Sequence, residues 1–331
     1  MIFISVSTLN YLHRTEIMAK SIKEFHPDSK VIICLIESEM QPEVKNIQVF
    51  DEILLAKDLG IPNFDHYIFK YTASEASWAL KSELMRYVYK NEVQENYFIY
   101  IDSDTRLYSS IIEVQPILDM YPIVLTPHCI KKPKDEYLQF GIFNAGFLGI
   151  KRSDEAENFI NWWADKVEWH CYMDWDRFIF VDQGWLKLVP TYYNAYILTH
   201  PGYNVSFWNF DERKVYKDQD KQYTINNLPL RFFHFSQLLT SLKEAVENSN
   251  NEVVRTLYGD YLEELKISSV YHLSAEPWSY AFFENGDRIK HITRKTYLHH
   301  SQLNLSLNPF SLSNDKLNDC FQEEILVSKF L

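Results

Sequence analysis

What most constrains this chain is the way two hydrophobic periodicities alternate along its first half. Residues 2–6 and 31–36 are short β-branched runs, apolar on both faces, as strands buried inside a parallel sheet require. Between them Met18, Ile22 and Phe25 recur at i, i+4 and i+7, one apolar stripe of a helix that closes near His26-Pro27. Residues 74–90 repeat the helical pattern through Leu80, Leu84 and Val88. Residues 97–101, 121–126 and 143–150 read as further strands, and 154–170 as a further helix. The alternation predicts an α/β fold, a mainly parallel sheet flanked by helices. Ligands of such sheets bind outside the carboxyl ends of the strands, so the residues just after each strand carry the functional reading.

At 331 residues the chain exceeds the roughly 250–300 at which a single core stops growing. Composition changes after Ser236: residues 239–264 are charged and helix-patterned, and 268–331 form a mixed tail containing Asn and Ser. We therefore expect a main domain over residues 1–236 and a mostly helical C-terminal appendage over 237–331. Lys+Arg 33 against Asp+Glu 45 leaves a net charge of −12, with no basic block, which argues against nucleic acid as a partner. No apolar run approaches the ~20 residues of a membrane span. Cys34, Cys129, Cys171 and Cys320 are scattered, so neither a disulfide framework nor a zinc site is indicated. The first residues lack a basic leader and read as a strand, so a cytoplasmic location is expected.

The sharpest local feature is Phe98-Ile99-Tyr100-Ile101-Asp102-Ser103-Asp104. Two carboxylates emerge where an apolar strand ends, and in extended backbone positions i and i+2 project to one side. Such a pair suits a hard divalent cation, Mg²⁺ or Mn²⁺, that shares its remaining positions with substrate phosphates. An acidic turn after a strand is the plain alternative. A phosphatase of the haloacid-dehalogenase type, with Asp102 as nucleophile, is the chemical rival. That family places its motif at the first strand, and the one later acidic candidate here, around Asp260, sits in a helical pattern.

Three later segments bear on the choice. Phe143-Asn144-Ala145-Gly146 brings an amide and a glycine to the mouth of an apolar strand, where a ligand can approach closely. Val181-Asp182-Gln183 opens a helical run with an acid–amide pair suited to sugar hydroxyls, and Arg231-Phe232-Phe233-His234-Phe235-Ser236 lodges one histidine in an aromatic strand. Trp162, Trp163, Trp169, Tyr172, Trp175 and Trp185 flank the acid–amide pair, and Tyr203, Phe207, Trp208 and Phe210 precede the histidine. Core burial explains most such rings, and one or two are expected to bind an acceptor.

The order D-x-D, F-N-A-G-x-L-x-I, D-Q-x-x-L and a late H-x-S resembles the GT-A-type glycosyltransferases, especially the retaining family 8 group and its bacterial relatives. The resemblance covers about residues 2–236. It implies a GT-A-type, Rossmann-like sheet and a metal-dependent enzyme moving a sugar from a nucleotide diphosphate sugar, UDP-sugar favoured, to a glycan, lipid-linked or protein acceptor, as in polysaccharide biosynthesis. It implies Asp102, Asp104 and His234 as ligands of Mn²⁺ or Mg²⁺. It places Thr8, Asn10 and Tyr11 at the base and ribose, Arg86 at the diphosphate or donor sugar, and Ser103, Asn144, Ala145, Gly146, Asp182 and Gln183 around the donor. Asp182 would either act as the base of an inverting reaction or hold sugar hydroxyls. The family's closing H-x-x-G-x-x-K-P-W is reduced here to His234-Phe235-Ser236-Gln237, without the lysine, so Arg231 or Lys243 would replace that diphosphate contact. A sugar nucleotidylyltransferase is disfavoured by the glycine-free stretch from Ser5 to Asn10, and a catalytically inactive relative is the remaining alternative.

Overall fold

The computed structural model describes residues 1–131, 134–300 and 307–317. Fourteen strands are found among them: β1 Ile2–Ser7, β2 Lys30–Leu35, β3 Glu52–Leu55, β4 Tyr97–Ile101, β5 Thr105–Leu107, β6 Ile123–Pro127, β7 Phe143–Lys151, β8 Met173–Asp174, β9 Ile179–Phe180, β10 Ala195–Ile197, β11 Val215–Lys217, β12 Tyr223–Ile225, β13 Leu228–Pro229 and β14 Phe232–His234. Seven of them build the central sheet in the order β10-β6-β7-β4-β1-β2-β3. Every pairing in it is parallel except those of β7, which runs antiparallel to β4 and β6. The mainly parallel α/β architecture expected from the sequence is the one observed.

The two-sided apolarity of the strands has a direct structural cause. Along β1, Ile2, Ile4 and Val6 enter one core while Phe3 enters another on the opposite face. Along β4, Phe98 and Tyr100 divide from Ile99 and Ile101 in the same way, as the period-2 geometry of a strand demands. The helices Ala73–Asn91 and Asp154–His170 cover the first face through Leu80, Leu84, Phe159 and Trp163. The helix Leu12–Phe25 covers the second through Met18, Ala19 and Ile22. Thr72 and Glu75 close a capping box at the start of the Ala73–Asn91 helix.

Direction decides where chemistry can gather. β1, β4 and β6 all end at one edge of the sheet, and the antiparallel β7 begins there. Thr8, Asp102, His128 and Asn144 therefore meet at a single edge, although they come from four separate segments. The β6–β7 register shifts between Leu125 and Thr126, a bulge beside Asn144 of the kind that re-aims side chains. β14 pairs with β5 and sets His234 opposite Thr105, just after the acidic turn.

Among the described residues, those after Ser236 share their hydrophobic cores with the first 236. Trp278, Tyr280, Tyr297 and Phe310 belong to the core that holds Ile4 and Phe69, and Val270 and Leu273 to the core on the other face. Helices Ser241–Glu247 and Glu252–Lys266 share a third core with Phe233 and Phe235. Among the described residues no helix is long and apolar enough to cross a membrane. Cys320 and residues 318–331 of the tail lie outside the described residues.

Candidate functional site

Asp102, Asp104 and His234 each place one ligand atom within 4.8 Å of the others. The two carboxylates do not reach this geometry from extended backbone, as the i, i+2 argument supposed. Residues 102–104 form a turn, with Thr105 N–H and Oγ1 both donating to the Asp102 carbonyl at 3.2 and 2.8 Å. His234 Nε2 stands 3.0 Å from Asp104 Oδ1 and 3.7 Å from Asp102 Oδ2, while its Nδ1 meets Asn204 Oδ1 at 3.0 Å. An Oδ1 atom only accepts, so Nδ1 carries a hydrogen; the protonated ring donates from Nε2 to the carboxylates, and the neutral ring would offer its Nε2 lone pair to a cation held between them. Phe232 packs on Phe147 in one core and Phe233 and Phe235 lie in another, the alternation that gives His234 a fixed direction. Burial would lower the His234 pKa, but Asp104 and Asp102 outweigh it and raise it. Two carboxylates and an imidazole nitrogen fit Mn²⁺ or Mg²⁺ by ligand chemistry.

Gly146 makes the convergence sterically possible. A Cβ there would lie 2.6 Å from Asn144 Oδ1, 2.6 Å from His234 Cε1 and 2.9 Å from Asp102 Oδ2. Its N–H donates to Asn144 Oδ1 at 2.9 Å and its carbonyl accepts from the Asp102 N–H at 2.9 Å. The first bond fixes the Asn144 amide, because an N–H can only face the oxygen. Asn144 Nδ2 then donates to His128 Nε2 at 3.2 Å and to Gln183 Oε1 at 3.4 Å. His128 Nδ1 faces the Ile142 carbonyl at 3.2 Å, and burial pushes its pKa down to about 4, so the ring is the neutral acceptor this chain of bonds needs.

Asp182 follows Val181, a β-branched residue held at φ 39°, and is almost wholly buried. Its carboxylate shares the Lys81 ammonium with Asp102, at 3.2 and 2.9 Å respectively. Burial raises the Asp182 pKa, Lys81 opposes the rise and Asp102 adds to it. Burial alone would lower that of Lys81, yet the two carboxylates outweigh it and raise it. Tyr100 completes the arrangement by donating its hydroxyl to Asp102 Oδ1 at 2.8 Å.

These groups line one cleft of about 780 Å³. Thr8, Asn10, Tyr11, Asp102, Ser103, Asp104, Asn144, Gly146, Asp182, Gln183 and His234 all line it. Ala145 is instead buried in the core, and only its carbonyl points toward Lys81. Arg86 is elsewhere. It forms ion pairs with Glu83 and Asp165 beside Arg152 and Asn161. Ala73, Ser77 and Lys81 face the cleft at steps of four, and five further residues turn a helix by about 140°, carrying Arg86 off that face. Lys81, at the edge of the Leu80–Leu84 stripe, is the cation sequence reasoning missed; a lysine set beside an apolar stripe was the available signal. His128 gave no such signal. Arg231 binds Glu113, and Lys243 lies near Glu247 on the surface, so neither reaches the cleft. Of the aromatic candidates, Phe207 and Trp208 line the cleft, joined by Trp78, Tyr137, Phe140 and Phe180, whereas Trp163 and Tyr203 are core and Phe210 packs against one.

Fold and site thus define a mainly parallel α/β protein with a carboxylate–imidazole cluster, able to hold a metal ion, at the carboxyl edge of its sheet. No protein-family profile matches the sequence. It is 23% identical over 281 residues to YfnF of Bacillus subtilis (strain 168), an uncharacterized protein, covering 80% of this chain and 92% of that one. It is 29% identical over 173 residues to the uncharacterized YfnD of the same strain, covering 50% of this chain and 54% of that one. Among solved structures it is similar to the galactosyltransferase LgtC in complex with donor and acceptor sugar analogues, at 14% identity and TM-score 0.47, covering 78% of this chain and 96% of that one. It is also similar to the bifunctional glycosyltransferase WbbM, at 16% identity and TM-score 0.48, covering 84% of this chain and 51% of that one.

Proposed function

We propose that this protein is a metal-dependent glycosyltransferase that moves a sugar from a nucleotide diphosphate sugar to a hydroxyl acceptor with retention. The observation that carries the reading is the convergence of Asp102, Asp104 and His234 in a cleft whose walls also hold Asn144, Gln183 and the Thr8–Tyr11 loop. A divalent cation held by the three ligands would neutralise charge on the departing diphosphate. Asn144 and Gln183, locked by their mutual bond and by Gly146 and Phe140, present oriented amides to the donor sugar. Asp182 is buried against Lys81, which suits it to fixing that lysine and a sugar hydroxyl rather than to deprotonating an acceptor. Retention follows as the favoured course.

The phosphatase reading loses its support at Asp260. That residue lies in the Glu252–Lys266 helix near Tyr223 and is absent from the cleft lining. The decisive experiment is a thermal-shift series with UDP, GDP, CDP and dTDP, each with and without Mn²⁺. Ligand at about 100 times its dissociation constant adds roughly 2.7 kcal/mol of stability. One diphosphate is expected to stabilise the protein in a Mn²⁺-dependent way, UDP first among them, and Asp102→Asn and Asp104→Asn are expected to abolish that dependence. Unchanged Mn²⁺-linked binding in both variants would sink the metal reading.

A further inference from the structure

One wall of the cleft is held from behind. Thr8, Asn10 and Tyr11 line the cleft, but Leu9 between them does not; its side chain is buried in the core that holds Phe3, Ile33 and Leu35. Bonds inside the turn, Thr8 Oγ1 to Asn10 Oδ1 at 2.6 Å and the Tyr11 N–H to the Thr8 carbonyl at 3.0 Å, shape it without tying it to a neighbouring element. The tie is made at Leu9, whose N–H donates to Glu37 Oε1 at 2.9 Å. Glu37 lies just beyond the carboxyl end of β2 and is 4% exposed. Its other oxygen, Oε2, accepts the Ser279 N–H at 2.9 Å. Burial pushes the Glu37 pKa up, and the donors of Ser279 and Leu9 oppose the rise. A buried carboxylate is costly unless its oxygens are hydrogen-bonded, so Glu37 is at ease only when both segments are in place.

The segment that supplies Ser279 reaches the same turn by other routes. Ser269 donates its N–H and its Oγ hydrogen to the Glu16 carboxylate, each at 2.9 Å, on the Leu12–Phe25 helix that continues the turn. Tyr271 meets the His13 ring edge-on at 5.5 Å between centroids. Val270 and Leu273 enter the same core as Leu9 and Leu12. On either side of Glu37, Trp278 Nε1 donates to the Ile36 carbonyl at 2.8 Å and the Ser38 N–H donates to Ser279 Oγ at 2.9 Å. Residues 268–280 therefore back the Thr8–Tyr11 wall along its length, and Glu37 is the one side chain that bonds to both.

We propose that Glu37 is a positioning residue for nucleotide recognition: it fixes Leu9 so that Thr8, Asn10 and Tyr11 stand ready for the nucleoside, and it makes residues 268–280 a determinant of that binding. The inference rests on the glycosyltransferase reading of the cleft. It is tested by titrating UDP, or whichever of GDP, CDP and dTDP the parent chain binds in its place, and inorganic pyrophosphate, each with Mn²⁺, into the full chain and into Glu37→Gln and Glu37→Asp. Pyrophosphate reports the cation site without the nucleoside wall. Glu37→Gln keeps the shape but turns an NH₂ group toward one of the two N–H donors. It is expected to weaken the nucleotide roughly tenfold or more, the worth of one hydrogen bond to a charged group, and to leave pyrophosphate unchanged. Glu37→Asp keeps both acceptor oxygens and is expected to recover part of the loss. Amide exchange in the parent chain gives an arm that needs no variant: the nucleotide with Mn²⁺ is expected to slow exchange over residues 268–280 as well as 8–11, and pyrophosphate with Mn²⁺ is not. Equal losses of nucleotide and pyrophosphate in Glu37→Gln would make Glu37 a general support of the fold and overturn the proposal. Unchanged nucleotide binding in that variant, or exchange over 268–280 that ignores the nucleotide, would overturn it as well. A parent chain that binds none of the four diphosphates with Mn²⁺ would remove the cleft reading itself, and this inference with it.

Discussion

At the scale of single residues, the site depends on one absent side chain and one uncharged ring. Gly146→Ala would put a methyl group into Asn144, His234 and Asp102 at distances that Cβ atoms do not tolerate. All three neighbours are fixed by hydrogen bonds or packing, so relief must come from backbone movement. The expected result is a loss of about 1–3 kcal/mol in stability, typical of overpacking, together with loss of Mn²⁺-linked nucleotide binding, read by chemical melts and titration. His128 supplies a pH dependence. Its folded pKa of about 4 lies below the ordinary histidine value, so the unfolded chain binds the proton that the native state refuses. Its contribution is therefore present above about pH 6.5 and is lost as pH falls toward 4. His128→Gln is expected to flatten that acid limb by roughly 2–3 kcal/mol in urea melts between pH 7 and 4, and an unchanged limb would show that the ring protonates freely.

At the scale of elements, the Ala73–Asn91 helix carries Lys81 to the sheet edge, and its placement rests on a cap and a buried charge. Thr72→Ala removes the capping-box acceptor and is expected to cost about 1 kcal/mol, measurable as a lowered denaturation midpoint. Lys81→Met is a larger change, because it leaves the Asp182 carboxylate buried without its cation. A loss of about 3–5 kcal/mol is expected. Adding Asp182→Leu to Lys81→Met should return part of it, since the stranded charge is then gone; a double variant no more stable than the single one would show that packing, not charge, sets the cost. The helix itself was legible from Leu80, Leu84 and Val88, but its cleft-facing edge was not. Three-residue and four-residue spacing marks the stripe that packs, and a cation at the edge of that stripe is only a weak signal that another element will bury it. Arg86 and Lys81 look alike in one dimension.

At the scale of the whole molecule, the described residues after Ser236 pack into the body that holds the site. Trp278 donates to the Ile36 carbonyl at 2.8 Å, Arg294 to the carbonyls of Phe69 and Tyr280, and Glu16 accepts from Ser268 and Ser269. A chain ended at Ser236 would strip Trp278, Tyr280 and Tyr297 from a core shared with β1. It is expected to lose cooperative unfolding and to expose apolar surface to a hydrophobic dye, rather than to survive as a nucleotide-binding domain; a sharp melt from that truncation would show that the expected boundary at Ser236 separates two units. The sequence by itself determined five of the seven central strands (β1, β2, β4, β6 and β7, but neither edge strand β3 nor β10), their burial on both faces and the segments from which the acidic turn, the amide and the histidine come. Those properties are written in periodicity and in which residues follow a strand, and neither needs distant partners. Which charges meet was decided only by the tertiary structure. The reversal of β7 brings Asn144 and Gly146 to the edge where β4 ends, β14 pairs with β5 to set His234 beside Asp104, and Lys81 is drawn in by two carboxylates 21 and 101 residues away. Contacts between segments so far apart depend on strand direction and register, which a linear pattern of residue types does not encode.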